Sequence, residues 1–156
     1  MDRRSFLAAT TAISVFEKNN IWANPSSDKK LGVALVGLGM YSTHFLGPAL
    51  KNGAHTKLVA VVTGNKIKGQ SWAAEYNFPE KNIYSYENFM QISDNKDIDI
   101  IYIVLPNSMH AEFTIKAAQC GKHVICEKPM ATSSSDAKKM IEACKKHNVK
   151  LGIGYR

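Results

Sequence analysis

From Leu31 onward, short unbroken apolar runs alternate with stretches whose apolar residues recur at helical spacing. An unbroken run reads as a strand buried on both faces, and recurrence at i, i+3, i+4 and i+7 reads as an amphipathic helix. The runs are Gly32–Val36, Lys57–Val62, a short piece at Ile83 and Tyr84, Asp99–Leu105 halted by Pro106, His123–Cys126 and Val149–Ile153. Between them the pattern predicts a helix over Met40–Lys51, kinked at Pro48 or divided near Gly47, and a short one over Gln70–Asn77 with Trp72, Ala73 and Tyr76 on one face. A third is expected from a cap at Asn107 or Ser108 to Gln119, with Ala111, Ile115 and Ala118 inward and Gly121 ending it. The fourth follows a Ser133/Asp136 capping pair and carries Ala137, Met140, Ile141 and Cys144 on its apolar face. Such alternation predicts an α/β fold, a doubly wound parallel sheet.

The first run ends in Gly37-Leu38-Gly39-Met40-Tyr41-Ser42, two glycines one residue apart at a strand-to-helix turn. Gly37 allows the sharp turn, and Gly39 leaves room for a pyrophosphate to approach the backbone N–H groups at the helix start. Ser42 stands where this Rossmann fingerprint has a third glycine or alanine, and is small enough for helix to pack on strand. In this fold an acid after the second strand selects NAD by bonding the adenosine ribose, yet no acid occurs from Lys57 through Ala74. The turn offers Thr63, Gly64, Asn65, Lys66 and Lys68 instead, which suit a 2′-phosphate and predict NADP over NAD; the alternative is that the lysines are solvated surface charges. Ligands of an open parallel sheet sit outside the carboxyl ends of its strands. The polar punctuation falls there: the glycine turn, Thr63–Lys68, Leu105–His110, Glu127–Pro129 and Tyr155-Arg156.

Length and charge narrow the partners. With 156 residues and 45% hydrophobic content, the chain suffices for one well-cored domain and not for two large ones. The net charge of +7 is dispersed among acids, without the continuous basic stripe a nucleic-acid backbone needs. A small anionic ligand is the expected partner, with no nucleic acid and no membrane. Cys120, Cys126 and Cys144 show neither CxxC nor metal-ligand spacing and read as packed thiols, with no metal site. Residues 1–23 read as a leader: Arg3-Arg4 before the apolar run Phe6–Phe16 resembles a twin-arginine export signal, with Asp2 and Ala8 departing from its pattern and Ala23 a cleavage point. That implies a periplasmic destination for a protein folded around its cofactor; the alternative is an attached arm on a cytoplasmic protein. Residues 24–30 read as a linker, and 31–156 as the dinucleotide-binding domain.

Gly37-Leu38-Gly39, Leu105-Pro106-Asn107-Ser108-Met109-His110, Glu127-Lys128-Pro129 and Gly154-Tyr155-Arg156, in this order, resemble the Gfo/Idh/MocA oxidoreductases. The likeness is nearest to their glucose–fructose oxidoreductase branch, which Thr63-Gly64-Asn65, Lys68 and Tyr86 also resemble. The resemblance implies that Gly37 through Ser42 hold the pyrophosphate, Thr63 and Lys68 the 2′-phosphate, and Tyr86 the adenosine end. Leu105, Pro106, Asn107 and His110 would line the groove toward the nicotinamide ribose, with Glu127 and Lys128 beside the nicotinamide and Arg156 in the cofactor set. Lys128 is then the catalytic residue, polarising a sugar hydroxyl or carbonyl during hydride transfer. His110 is alternatively a helix-start residue without cofactor contact. Family members continue into a second, sheet-rich domain that supplies the substrate contacts, a tyrosine proposed as general base, and the oligomer interface. The chain therefore reads as the cofactor-binding half of an NADP-dependent sugar oxidoreductase, a homo-oligomer at full length; the alternative is a non-catalytic NADP(H)-binding module or a truncated relic.

Overall fold

The computed structural model describes residues 29–155; the leader and most of the linker expected from the sequence, and Arg156, lie outside them. Six strands form one sheet in the order β3-β2-β1-β4-β5-β6, every neighbouring pair parallel. They are β1 (Leu31–Val36), β2 (Thr56–Val62), β3 (Ile83–Tyr84), β4 (Ile100–Ile103), β5 (His123–Glu127) and β6 (Leu151–Gly154). The chain reverses its direction of travel across the sheet between β1 and β4, so a crevice opens there at the carboxyl ends.

Strand alternation fills two cores. Ala34, Val36, Ala60 and Val62 point to one face with Ile101, Ile103, Phe113 and Met140; Leu35 and Val61 point to the other with Leu58, Trp72 and Phe78. Helices α3 (His110–Gln119) and α4 (Ser134–Lys146) cover the first face, and α1 (Gly47–Asn52) and α2 (Lys66–Tyr76) the second.

The first helix changes its winding near Gly47 without breaking: Ser42–Leu46 is a π-helical turn that leads directly into α1 with the Gly47 N–H donating to the Ser42 carbonyl, so the wider turn falls just before Pro48, which has no N–H to give. A Cβ on Gly47 would stand 2.4 Å from the Tyr76 hydroxyl, so glycine lets α1 cross closely over α2. Helix α2 begins at Lys66 rather than Gln70, because Asn65 Oδ1 accepts from the Lys68 N–H at 3.0 Å and caps it there. Neither Asn107 nor Ser108 caps α3; both lie in a 3-10 turn, Asn107–Met109, that winds directly into the helix. The inward face of α3 is correspondingly Phe113, Thr114, Ala117 and Ala118, with Ala111 and Ile115 only half-buried. Phe113 decides this, meeting Phe89 edge-on at 5.1 Å and Tyr86 at 5.6 Å. Gly121 ends α3 with φ +70°, and Ser133 Oγ caps α4 by accepting from the Asp136 N–H at 3.0 Å, both as expected. Met140 and Cys144 form the buried face of α4, while Ile141 stays exposed. No helix among the described residues is long and apolar enough to cross a membrane.

Candidate cofactor crevice at the carboxyl ends of the strands

The turn after β1 is built for close approach. Gly37 has φ +91°, and a Cβ there would stand 2.4 Å from the Val104 carbonyl oxygen, so only glycine lets the turn pass the end of β4. Gly39 differs: a Cβ there would meet no atom of the described residues within 4 Å. Ser42 does more than stay small. It is fully buried, and its Oγ donates to the Gly37 carbonyl at 2.6 Å, tying the helix start to the strand end. Met40 is exposed beside it, and the Tyr41 ring lies 5.6 Å from Phe45.

The turn after β2 closes on the same crevice. Thr63 is buried, its N–H donating to the Tyr84 carbonyl and its Oγ1 accepting from the Asn65 N–H at 3.1 Å. Gly64 lies under the Tyr86 ring, 3.5 Å from where its Cβ would be. Burial first, and the Glu87 carboxylate second, push the Tyr86 phenol above the ordinary tyrosine range. Lys68 leaves its own turn, its ammonium donating to the Leu38 carbonyl inside the glycine turn. The lysine expected to meet a 2′-phosphate thus bridges the two turns. Lys66 and Thr63 edge an adjoining hollow of about 230 Å³.

At the ends of β4 and β5 the structure corrects one expectation. His110 does not line the groove: it is fully buried, with Nδ1 2.8 Å from the Pro129 carbonyl oxygen and Nε2 2.8 Å from that of Leu105. It stands behind the wall and joins the turn carrying Leu105, Pro106 and Asn107 to the turn carrying Lys128. Pro106 and Asn107 are exposed, Leu105 is half-buried, and the Lys128–Pro129 peptide is cis. Glu127 is half-buried; Tyr102 donates its hydroxyl to Oε1 at 2.7 Å, and the Lys128 N–H approaches Oε2 at 3.4 Å. The Lys128 side chain is exposed, and among the described residues its ammonium has no hydrogen-bond partner. Glu127 and Lys128 line a groove of about 660 Å³ with Tyr41, Phe45, Val104, Gly154 and Tyr155.

Tyr102 and Phe45 escape sequence reading because a half-buried tyrosine in a strand and a lone aromatic on a helix look like core, whereas Tyr155, which is exposed, belongs to a strand-end stretch the sequence already points to. Cys126, just before Glu127, is a packed thiol: it is fully buried, and burial pushes it up to about 11. Cys120 and Cys144 are buried likewise.

The strand order, the glycine turn at the switch point and the rim joining it to Glu127 and Lys128 define a dinucleotide-binding Rossmann domain. Residues 31–155 match the family described as "Oxidoreductase family, NAD-binding Rossmann fold", and the chain belongs to this Gfo/Idh/MocA family. A D-xylose 1-dehydrogenase [NADP(+)] of Haloarcula marismortui is 30% identical over 141 residues, covering 90% of this chain and 39% of the relative. The aldose-aldose oxidoreductase of Caulobacter crescentus, crystallised with glycerol, is 48% identical with a TM-score of 0.79, covering 81% of this chain and 38% of that one. KijD10, a 3-ketoreductase from Actinomadura kijaniata solved with TDP-benzene and NADP, shares the fold at TM-score 0.73 and 21% identity. The chain thus spans about two fifths of the length of these relatives, 39% and 38% of the first two.

Proposed function

We propose that the chain is the cofactor-binding half of an NADP-dependent oxidoreductase that moves hydride between nicotinamide and a CH–OH group of a sugar or polyol. The observation that carries this reading is the position of the Lys128 ammonium, exposed beside Glu127 in a groove of about 660 Å³ on the same rim as the glycine turn. The residues fit a dinucleotide: no atom of the described residues occupies the space a Gly39 side chain would fill, and the N–H groups at the start of the following helix would attract a pyrophosphate. Bound nicotinamide would supply the hydride acceptor for oxidation and the donor for reduction.

The remaining roles belong to the chain. Backbone from Gly37 through Ser42 holds the pyrophosphate. Thr63, Gly64, Asn65, Lys66 and Lys68 receive the 2′-phosphate, with Tyr86 along the adenosine. Leu105, Pro106 and Asn107 follow the ribose of the nicotinamide, Arg156 completes the cofactor set, and His110 supports the wall without touching the ligand. Lys128 places a positive charge where a substrate oxygen becomes an alkoxide, which favours the transition state over the ground state. A sugar substrate accords with the printed activities of the two relatives, a xylose dehydrogenase and an aldose-aldose oxidoreductase. Substrate contacts and self-association are assigned to a second domain, and export through the twin-arginine leader to the periplasm completes the proposal.

Calorimetric titration with NADP+ and NAD+ tests the cofactor assignment. NADP+ should bind about tenfold more tightly, and Lys68→Ala should remove most of that difference, because a charge-assisted phosphate contact is lost. Equal affinities in the parent chain would contradict the 2′-phosphate site.

A further inference from the structure

Glu127 is held from both sides by features that none of the cofactor roles above requires. On β4, Tyr102 is in register with Ile125, so on the shared face of the sheet its side chain neighbours Glu127 diagonally. That diagonal is long enough for a tyrosine, and the hydroxyl reaches Oε1 at 2.7 Å. On β6, Gly154 is in register with Glu127 itself. A Cβ on Gly154 would stand 2.8 Å from Oε1 and 3.3 Å from Oε2, so the carboxylate occupies the space a side chain would take. Burial, and then the carboxylate itself, push the Tyr102 phenol upward, which keeps its proton on the hydroxyl as a donor. The carboxylate is thereby laid across β4, β5 and β6 with Oε1 occupied. Among the described residues, Oε2 meets only the Lys128 N–H, at 3.4 Å, and Glu127 lines the groove.

Resting on the cofactor reading above, we infer that Tyr102 is a positioning residue: by fixing Oε1 it presents Oε2 of Glu127 as a directed acceptor for the N–H or O–H groups of the nicotinamide nucleoside. Gly154 serves the same arrangement by leaving the carboxylate its slot. Tyr102 acts only through Glu127 and touches no ligand. Removing the hydroxyl frees the carboxylate to rotate, and its loss is felt at the nicotinamide end of the cofactor and not at the adenosine end.

The test is titration of the 156-residue chain with two probes, NADP+ and adenosine 2′,5′-bisphosphate, which carries only the adenosine end. Tyr102→Phe should weaken NADP+ about fivefold to tenfold, less than the loss of a direct hydrogen bond to a charged group because Tyr102 acts only through Glu127, and leave the bisphosphate unchanged. Glu127→Ala should show the same selectivity, and adding Tyr102→Phe to it should cause no further loss, since the two act as one unit. Tyr102→Phe with parent NADP+ affinity, equal weakening of both probes, or losses that add in the double variant would each overturn the inference. So would a parent chain that binds the bisphosphate as tightly as NADP+, while leaving the adenosine half standing. A parent chain that binds neither probe would instead overturn the cofactor reading, and this inference with it.

Discussion

Around the turns after β1 and β2 the crevice is shaped mainly by bonds between near neighbours in sequence, whereas at the ends of β4 and β5 it is shaped by side chains reaching between distant segments. Ser42 bonds the Gly37 carbonyl five residues back, and Asn65 caps the helix three residues on. On the other side, His110 and Pro129 are 19 residues apart, and Tyr102 and Glu127 are 25 apart. The contrast is one of degree: in the first half Lys68 crosses 30 residues to Leu38 and the Thr63 N–H reaches the Tyr84 carbonyl, while in the second His110 also meets Leu105, five residues back. One half is made mainly by backbone conformation, with glycine where no other residue fits. The other half rests on two side chains behind or beneath the wall, whose loss leaves the exposed residues present but unsupported.

The largest effect is expected from Gly37→Ala. It combines a left-handed φ of +91° with a Cβ 2.4 Å from a backbone oxygen of the adjoining strand, and should cost about 3 kcal/mol or more. Urea unfolding measures the cost, and a loss below about 1 kcal/mol would show that the turn relaxes without the glycine. His110→Ala comes next, at about 2–3 kcal/mol, from the loss of the ring N–H donated to a carbonyl behind the wall and from the cavity left where the ring stood between Pro129 and Leu105. Amide exchange should then quicken at Lys128 and Leu105 while Gly39 and Asn65 keep the parent rate. Uniform quickening on both sides would erase the distinction between the halves.

The legibility of the sequence follows the same division. The six strands and their order of appearance were readable because buried parallel strands are continuous apolar runs, and Gly37, Gly121 and the Ser133 cap announce themselves through backbone geometry that few residues satisfy. His110 was legible only as a member of a motif. Nothing in its neighbours says that both ring nitrogens meet carbonyls from two other turns. The α3 cap was misplaced because Asn107 and Ser108 have capping chemistry, while the chain enters the helix through a 3-10 turn that does not use it. Tyr102 carries no signal at all in a strand of isoleucines.

Smaller effects sharpen the comparison. Ser42→Ala removes one buried hydrogen bond and should cost about 1–2 kcal/mol in the same unfolding assay. A cost near that of His110→Ala would mean that the near-neighbour half depends on side chains just as heavily. The buried thiol gives a pH signature of the second half. Cys126 has an ordinary value of 9.0 and is held at about 11 when folded, so below pH 9 both states keep the proton and stability is unaffected. As pH rises from 9 toward 11 the unfolded chain ionises first, and stability falls. Thermal midpoints across that window should decline less in Cys126→Ala than in the parent; parallel declines would show that this thiol is not responsible.

The most direct test of the central claim is a nitrogen-resolved NMR titration of the chain with NADP+. Amide shifts should concentrate at Gly37–Ser42, at Thr63–Lys68 and at Leu105, Asn107, Glu127 and Lys128, all at the carboxyl ends of the strands. Shifts concentrated instead in the polar hollow of about 360 Å³ formed by Lys81, Asn82, Asp94 and Asn95 would place the nucleotide elsewhere and contradict it.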